Sequence, residues 1–264
     1  MVIDFHTHVF HDKLAEWVIE SLVKSSKGDC QPCSDGTVKG LLKKMDEFGV
    51  DISVAQPIVT KAKNTEIQNR WAKEITSERI ISFGSIHPKT DDYKRDIDLI
   101  CNLGLPGIKF HPEFQDFYID EPKMLKVYDY ALSKGLMLLF HAGCDASFSP
   151  PYHSTPKQFA EISKEMQGGV IIAAHLGGQS QWDDVEKYLV GTNVYFDTAM
   201  GMNLYPHDQF VRIVRNHGAD KILFGSDSPW TKANEEIEIL NSLPLTNEEK
   251  DLILYKNAKR LLGI

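Results

Sequence analysis

The sequence predicts an α/β fold, a (β/α)8 barrel of the TIM type. Three observations carry this. The chain has 264 residues, and single α/β barrels commonly occupy about 250. Eight short apolar runs alternate with segments of helical periodicity. Those runs are apolar at nearly every position, as expected for parallel strands buried on both faces. No composition break divides the chain, so one domain spanning 1–264 is expected. A doubly wound open sheet is the alternative. The Gly-rich turn it would need after its first strand is missing, and Thr7-His8-Val9-Phe10 stands there instead.

The elements follow in order. Residues 2–8 form a strand ending in His6-Thr7-His8. Leu14, Trp17, Val18 and Leu22 fall at helical spacing over 12–24. Residues 25–36 are rich in Ser, Gly, Asp and Pro and read as a loop. Its 26–36 portion is an insertion placed to act as a lid over the first strand's far end. A helix over 37–48 stops at Gly49. Strand 52–56 closes at Pro57, helix 64–77 follows, and strand 80–86 ends at His87-Pro88. The alternation continues with helix 91–103, strand 107–111, helix 123–134 stopped by Gly135, strand 136–141 and helix 156–166. Strand 170–175, helix 181–190, strand 194–197, helix 207–216 and strand 222–227 complete the pattern. Helices over 234–240 and 247–262 finish the chain, leaving an extra C-terminal helix beyond the barrel and room for distortion of it.

Composition excludes several partners. Hydrophobic residues make up 42%, enough for a sizeable core, yet no apolar run approaches the ~20 residues that span a bilayer. The first strand carries Asp4 and has no basic region before it, unlike a signal peptide. A formal net charge of -8 without a basic run argues against nucleic acid or a membrane surface as partner. Four cysteines fit a reducing compartment, so the cytoplasm is the expected location. Cys30-Gln31-Pro32-Cys33 has the spacing of a zinc knuckle or a redox pair, but no second pair matches it, and ordinary loop cysteines are the better reading. Whether the chain pairs as a homodimer is left open.

The strand ends carry the chemistry. His6 and His8 end the first, Lys109 and His111 the fourth, His141 the fifth, His175 the sixth and Asp227 the eighth. In a barrel, all strand carboxyl ends open on one face, where active sites lie. Residues two apart on a strand face one side, so His6 and His8 can reach one spot. Each histidine alone could be a satisfied core or surface residue. Four histidines and an aspartate in register favour a metal site. His11, His153, His207 and His217 read as surface or loop residues, with His153 able to reach the mouth of the site. Cys144 can line the pocket.

Together with His141-Ala142-Gly143, His175-Leu176-Gly177-Gly178, Leu223-Phe224-Gly225-Ser226-Asp227-Ser228-Pro229-Trp230 and the tail Asn257-Ala258-Lys259-Arg260-Leu261-Leu262-Gly263, these motifs resemble the amidohydrolase superfamily. The resemblance is to its amidohydrolase-2 branch, which holds decarboxylases beside hydrolases. It implies that His6, His8, His141 and Asp227 bind one divalent metal ion, usually zinc, with manganese or iron able to use similar ligands. It implies that His175 acts as acid or base beside the metal-activated water, with Asp227 as a second proton acceptor. Zinc would lower the pKa of that water from about 15.7 to about 7.

Lys109 is the ambiguous residue. Some superfamily members carboxylate a lysine there to bridge two metals. Here Lys109 and His111, with His87 nearby, read better as donors to a substrate carboxylate. The expected function is a metal-dependent hydrolase of a small carboxylated molecule. The alternative is a metal-dependent non-oxidative decarboxylase. A metal-dependent DNase ranks lower, because Gly107-Ile108-Lys109-Phe110 lacks that group's acidic residue. A binding protein on a retired barrel ranks last, since no expected ligand is missing.

Overall fold

The computed structural model describes residues 1–166 and 168–264. Its parallel strands are β1 (Ile3–Thr7), β2 (Ile52–Ala55), β3 (Ile80–Ser82), β4 (Gly107–Phe110), β5 (Met137–Phe140), β6 (Ile171–Ala173), β7 (Tyr195–Asp197) and β8 (Ile222–Leu223). They pair in sequence order as β1-β2-β3 and β4-β5-β6-β7-β8. Two seams join these groups into a barrel. Gly84, just past β3, pairs with Ile108 of β4, and Thr7 of β1 pairs with Ser228 beyond β8. At the first seam Gly84 N donates to Gly107 O and Lys109 N to Gly84 O, both at 2.8 Å. At the second, Phe5 N donates to Phe224 O and Asp227 N to His6 O, again at 2.8 Å.

Strand alternation sorts the apolar side chains into two layers. Ile108, Phe110, Leu138 and Phe140 pack outward with helical residues such as Ile97, Met124, Tyr128 and Phe159. Phe5, Val54, Phe83, Leu139, Ile172 and Leu223 form a separate cluster, joined at one end by Ala258, Leu261 and Leu262 of the C-terminal helix. This is the barrel interior, and the C-terminal helix abuts it. Lys109 sits in register with Leu139, so its side chain belongs to the interior face.

The helices follow the expected pattern: α1 (Asp12–Ser25), α2 (Val38–Phe48), α3 (Thr65–Glu74), α4 (Tyr93–Asn102), a single-turn α5 (Pro112–Gln115) and α6 (Pro122–Ser133). Then come α7 (Pro156–Glu165), α8 (Trp182–Tyr188), α9 (His207–His217), α10 (Ala233–Ser242), α11 (Asn247–Asp251) and α12 (Asn257–Leu262). Local chemistry fixes their ends. Thr37 Oγ1 accepts from Gly40 N at 2.9 Å to start α2, and Gly49 ends it at φ +74°. Thr155 and Gln158 form a reciprocal capping box on α7. A π-helical turn, Leu252–Lys256, joins α11 to α12, where the sequence pattern suggests one continuous helix.

The strands are shorter than the apolar runs. Residues 83–86, 174–175 and 224–227 lie beyond the ends of β3, β6 and β8, although Gly84, Ala174 and Asp227 still donate backbone hydrogen bonds to neighbouring strands. His175 and Asp227 therefore lie past their strands with φ +58° and +64°. A non-glycine residue in that region costs on the order of 1 kcal/mol and persists where its surroundings dictate it. Among the described residues no helix is long and apolar enough to cross a membrane.

Candidate metal centre and active-site cavity

The carboxyl ends of the strands open into a cavity of about 580 Å³. His6, His8, Lys109, His111, His141, His175 and Asp227 all line it. Its walls are largely apolar, with Phe10, Leu14, Trp17, Phe114, Met200 and Trp230 above the polar floor. The 26–36 loop contributes Ser26 and Cys30 to the wall. That loop is tied to the segment after β8, where Cys33 N donates to Pro229 O at 2.7 Å. The four cysteines are free thiols.

The floor is built from β1. An irregularity in pairing between Asp4 and Thr7 interrupts the regular alternation there, and such bulges re-aim side chains. His6, His8 and Asp227 then offer ligand atoms that all lie within 4.8 Å of one another. The two Nε2 atoms are 3.2 Å apart. Asp227 Oδ1 is 3.1 Å from His8 Nε2 and 3.5 Å from His6 Nε2. Gly225 makes room for this arrangement, since a Cβ there would stand 2.8 Å from His6 Cβ.

Hydrogen bonding fixes what these atoms can do. His8 Nδ1 is 3.0 Å from Gln56 O, a carbonyl that can only accept. His6 Nδ1 is 2.8 Å from the buried Asp197 Oδ2. Each Nδ1 therefore donates, and in the neutral rings each Nε2 keeps its lone pair. His6 is held well below the ordinary imidazole range by burial and by the nearby Lys109 ammonium. Burial pushes the Asp227 carboxyl up, while positive charge on His6, His8 or His175, or an N–H from His8, draws it below the usual carboxylate range. Asp227 Oδ1 is buried and has no hydrogen-bond donor. Two lone pairs and an orphaned anionic oxygen thus face one point. That donor set fits a divalent cation.

Lys109 Nζ stands 3.1 Å from His6 Nε2 and is 1% exposed. Burial lowers its pKa to about 8, opposed by Asp197 and Asp227. It remains largely ammonium at neutral pH and is the cation nearest the floor.

His175 and His141 form a second unit. His175 Nδ1 is 2.9 Å from Ala199 O, and its Nε2 is 3.0 Å from His141 Nδ1. His141 Nε2 lies 3.2 Å from Cys144 O. Burial, then His111 and His175, hold His141 well below the ordinary imidazole range. The neutral pair has two ring protons for three contacts, so it can accept a further proton in place.

The structure places the sequence-predicted residues in one cavity but in two groups. His141 lies with His111 and Asp145 rather than within the His6, His8, Asp227 group. The His111 group is explained without an ion. His111 caps α5, its Nδ1 accepting from Phe114 N at 3.4 Å, so Nε2 carries the proton and faces Asp145 Oδ2 at 3.3 Å. The His111 and His141 rings stack at 4.3 Å with planes 13° apart, which directs their in-plane lone pairs side by side.

Other histidines depart from their expected places. His87 does not line the cavity, and its Nδ1 accepts from Lys89 N at 3.1 Å. His153 Nδ1 instead meets Pro112 O at 3.2 Å, behind the wall. His11 does line the cavity while its Nδ1 caps α1. His217, expected on the surface, is buried. Its ring stacks on Phe196 at 4.1 Å, Nε2 donates to Val194 O at 2.8 Å, and Nδ1 accepts from Gly191 N. Asp197 and Asp145 are site residues that sequence reasoning missed. Asp197 ends β7 as the other site residues end their strands, a signal that could have found it. Asp145 lies in an irregular loop, where no periodicity points to it.

A family model described as amidohydrolase matches residues 3–264. No curated protein matches the chain. The 5-carboxyvanillate decarboxylase of Sphingomonas paucimobilis superposes with a TM-score of 0.72 at 16% identity, covering 100% of this chain and 99% of that one. A Rhizobium 2,6-dihydroxybenzoate decarboxylase gives 0.68 at 15% identity, covering 99% and 98%. A protein described as a probable 2-pyrone-4,6-dicarboxylic acid hydrolase from Acinetobacter baumannii gives 0.68 at 18% identity, covering 100% and 99%. At these identities the likeness is one of fold.

Proposed function

Because the chain belongs to the amidohydrolase family, we propose that it is a metal-dependent hydrolase of a small carboxylated molecule. The observation that carries this reading is the convergence of His6 Nε2, His8 Nε2 and Asp227 Oδ1 as lone-pair donors at the cavity floor, beside the Lys109 ammonium. These three residues would hold one divalent ion, with His141 as the fourth holder from its neighbouring position. The set suits zinc first, and manganese or iron next. When bound, such an ion supplies Lewis acidity that lowers the pKa of water toward about 7.

The chain's own residues supply the rest. Lys109, and Lys61 at the mouth, offer positive charge to a substrate carboxylate. His111, with both ring nitrogens engaged, lines that side of the cavity as a positioned wall. His175 takes up the proton at Nε2, and the contact to His141 Nδ1 spreads it over the pair. Asp227 is the second proton acceptor. The apolar walls exclude bulk water, which strengthens each of these interactions.

A second reading, non-oxidative decarboxylation, is favoured by two of the structural neighbours, which carry decarboxylase names. The test is metal analysis and intact mass on protein purified without chelator, then a substrate panel of carboxylated lactones, amides and aromatic acids. One ion per chain, an unmodified Lys109 and release of acid support the hydrolase. Carbon dioxide release transfers the site to the decarboxylase reading. A protein that takes up no ion, or a Lys109 carrying a carbon dioxide adduct between two ions, would sink the one-metal site.

A further inference from the structure

Asp197 touches both halves of the site from behind. It is fully buried at the end of β7. Its Oδ2 accepts from His6 Nδ1 at 2.8 Å. Its Oδ1 accepts from His175 N at 3.0 Å and from Ala199 N at 3.1 Å. The peptide of Ala199 in turn presents the carbonyl that receives His175 Nδ1 at 2.9 Å. One carboxylate therefore decides which nitrogen of His6 carries the proton and where the His175 ring sits.

We propose that Asp197 is a positioning residue that holds His6 as the Nδ1–H tautomer and seats His175 at the same time, so that the ion-holding and proton-handling groups are set by a single side chain. This rests on the reading of His6 and His8 as holders of a metal ion. A second contact agrees with it: Lys109 Nζ lies 3.1 Å from His6 Nε2, and a lone pair on that nitrogen suits a donor at that distance.

The isosteric change Asp197→Asn separates positioning from mere filling of space. The two backbone N–H groups on Oδ1 require the amide oxygen to stay there. The amide NH2 then faces His6 Nδ1 and donates to it. His6 must move its proton to Nε2, where His8 Nε2, 3.2 Å away, can accept it. The variant keeps the shape and the hydrogen-bond count of the site, yet blocks the lone pair that a cation needs.

The experiment is nitrogen NMR of imidazole-labelled, metal-free protein, with Zn(II) affinity measured by chelator competition. In the wild type, His6 Nε2 should show a pyridine-type resonance and Nδ1 a pyrrole-type one. In Asp197→Asn these should exchange, and Zn(II) affinity should fall about 10–100-fold, as for other outer partners of ligating histidines. A folded variant with an unexchanged His6 and wild-type affinity would overturn the proposal. If the variant does not fold, the wild-type spectrum decides, because an Nε2–H tautomer of His6 there contradicts the role given to Asp197. If the wild type itself takes no Zn(II), the metal reading fails while the His6 resonances still decide the role of Asp197.

Discussion

Glu236 offers a test of how the cavity wall is held. It lies on α10, is 1% exposed, and accepts from Met202 N at 2.9 Å. That bond pins the segment after β7, which carries Ala199 under His175 and Met200 in the cavity wall. Burial raises the Glu236 carboxyl to about 7, with Asp4 and Asp227 adding to the rise and the N–H groups of Met202 and Gly201 opposing it. An acid with a raised pKa in the folded state binds a proton there before it does in the unfolded chain. Its stabilising contribution is complete below the unfolded value, near 4.5, and is lost as pH rises through about 7. That gap, at about 1.4 kcal/mol per pH unit, amounts to about 3 kcal/mol.

Glu236→Gln removes this dependence while keeping one acceptor for Met202 N. Near pH 5 the variant should match the wild type or be weaker by up to about 1 kcal/mol, for the second hydrogen bond it gives up. Near pH 8.5 it should be more stable by about 2 kcal/mol, which raises the melting temperature by roughly 4–8 °C in a chain of this size. Urea unfolding at both pH values measures it. Other carboxyls also titrate, and Asp145 and Asp227 act in the opposite direction, so the difference between variant and wild type is the quantity to compare. A difference that stays constant from pH 5 to 8.5, or a variant less stable at the higher pH, would refute the reasoning.

Two further outcomes follow from the site. His175→Ala should retain its metal, by metal analysis, while turnover on any substrate found falls about 10²–10⁴-fold, the usual cost of losing a general acid or base; loss of metal as complete as in His6→Ala would make His175 a ligand instead. Gly225→Ala should push the His6 backbone and side chain, because its new Cβ would meet His6 Cβ at 2.8 Å, so metal affinity should drop at least several-fold by chelator competition even though no ligand is changed.

The barrel was legible because each strand is buried on both faces, one against the helices and one inside the barrel. That requirement writes continuous apolar runs such as Leu138-Leu139-Phe140 and Ile171-Ile172-Ala173 into the sequence. The same rule picked out residues that line one cavity, since the residue ending an apolar run is the one delivered to its floor. It could not give strand lengths, nor the left-handed backbone angles of His175 and Asp227, which no apolar pattern encodes. It misjudged His217, whose helix-end position looks solvated. The ring is instead stacked on Phe196, with both nitrogens satisfied by backbone, a contact between elements distant in sequence.

The division of labour among the histidines was also beyond sequence reasoning, because it depends on what each Nδ1 faces. His6 Nδ1 meets a carboxylate and His8 Nδ1 a carbonyl. Both are locked as acceptors toward the floor, and neither can donate to the other across 3.2 Å. A cation relieves that conflict by taking both lone pairs at once; a single proton would do so by turning one nitrogen into a donor to the other. His175 Nδ1 also meets a carbonyl, but its Nε2 faces another imidazole, and His141 can shift its own proton between His175 Nε2 and Cys144 O. A proton arriving at this pair completes the hydrogen bond that was one short. Identical side chains at equivalent strand ends thus differ: His6 and His8 turn Nε2 lone pairs to one point, whereas His175 and His141 share a chain of contacts one proton short. The carbonyls of Gln56, Ala199 and Cys144 and the carboxylate of Asp197 make that choice, and all of them lie in the loops and strand ends behind the rings.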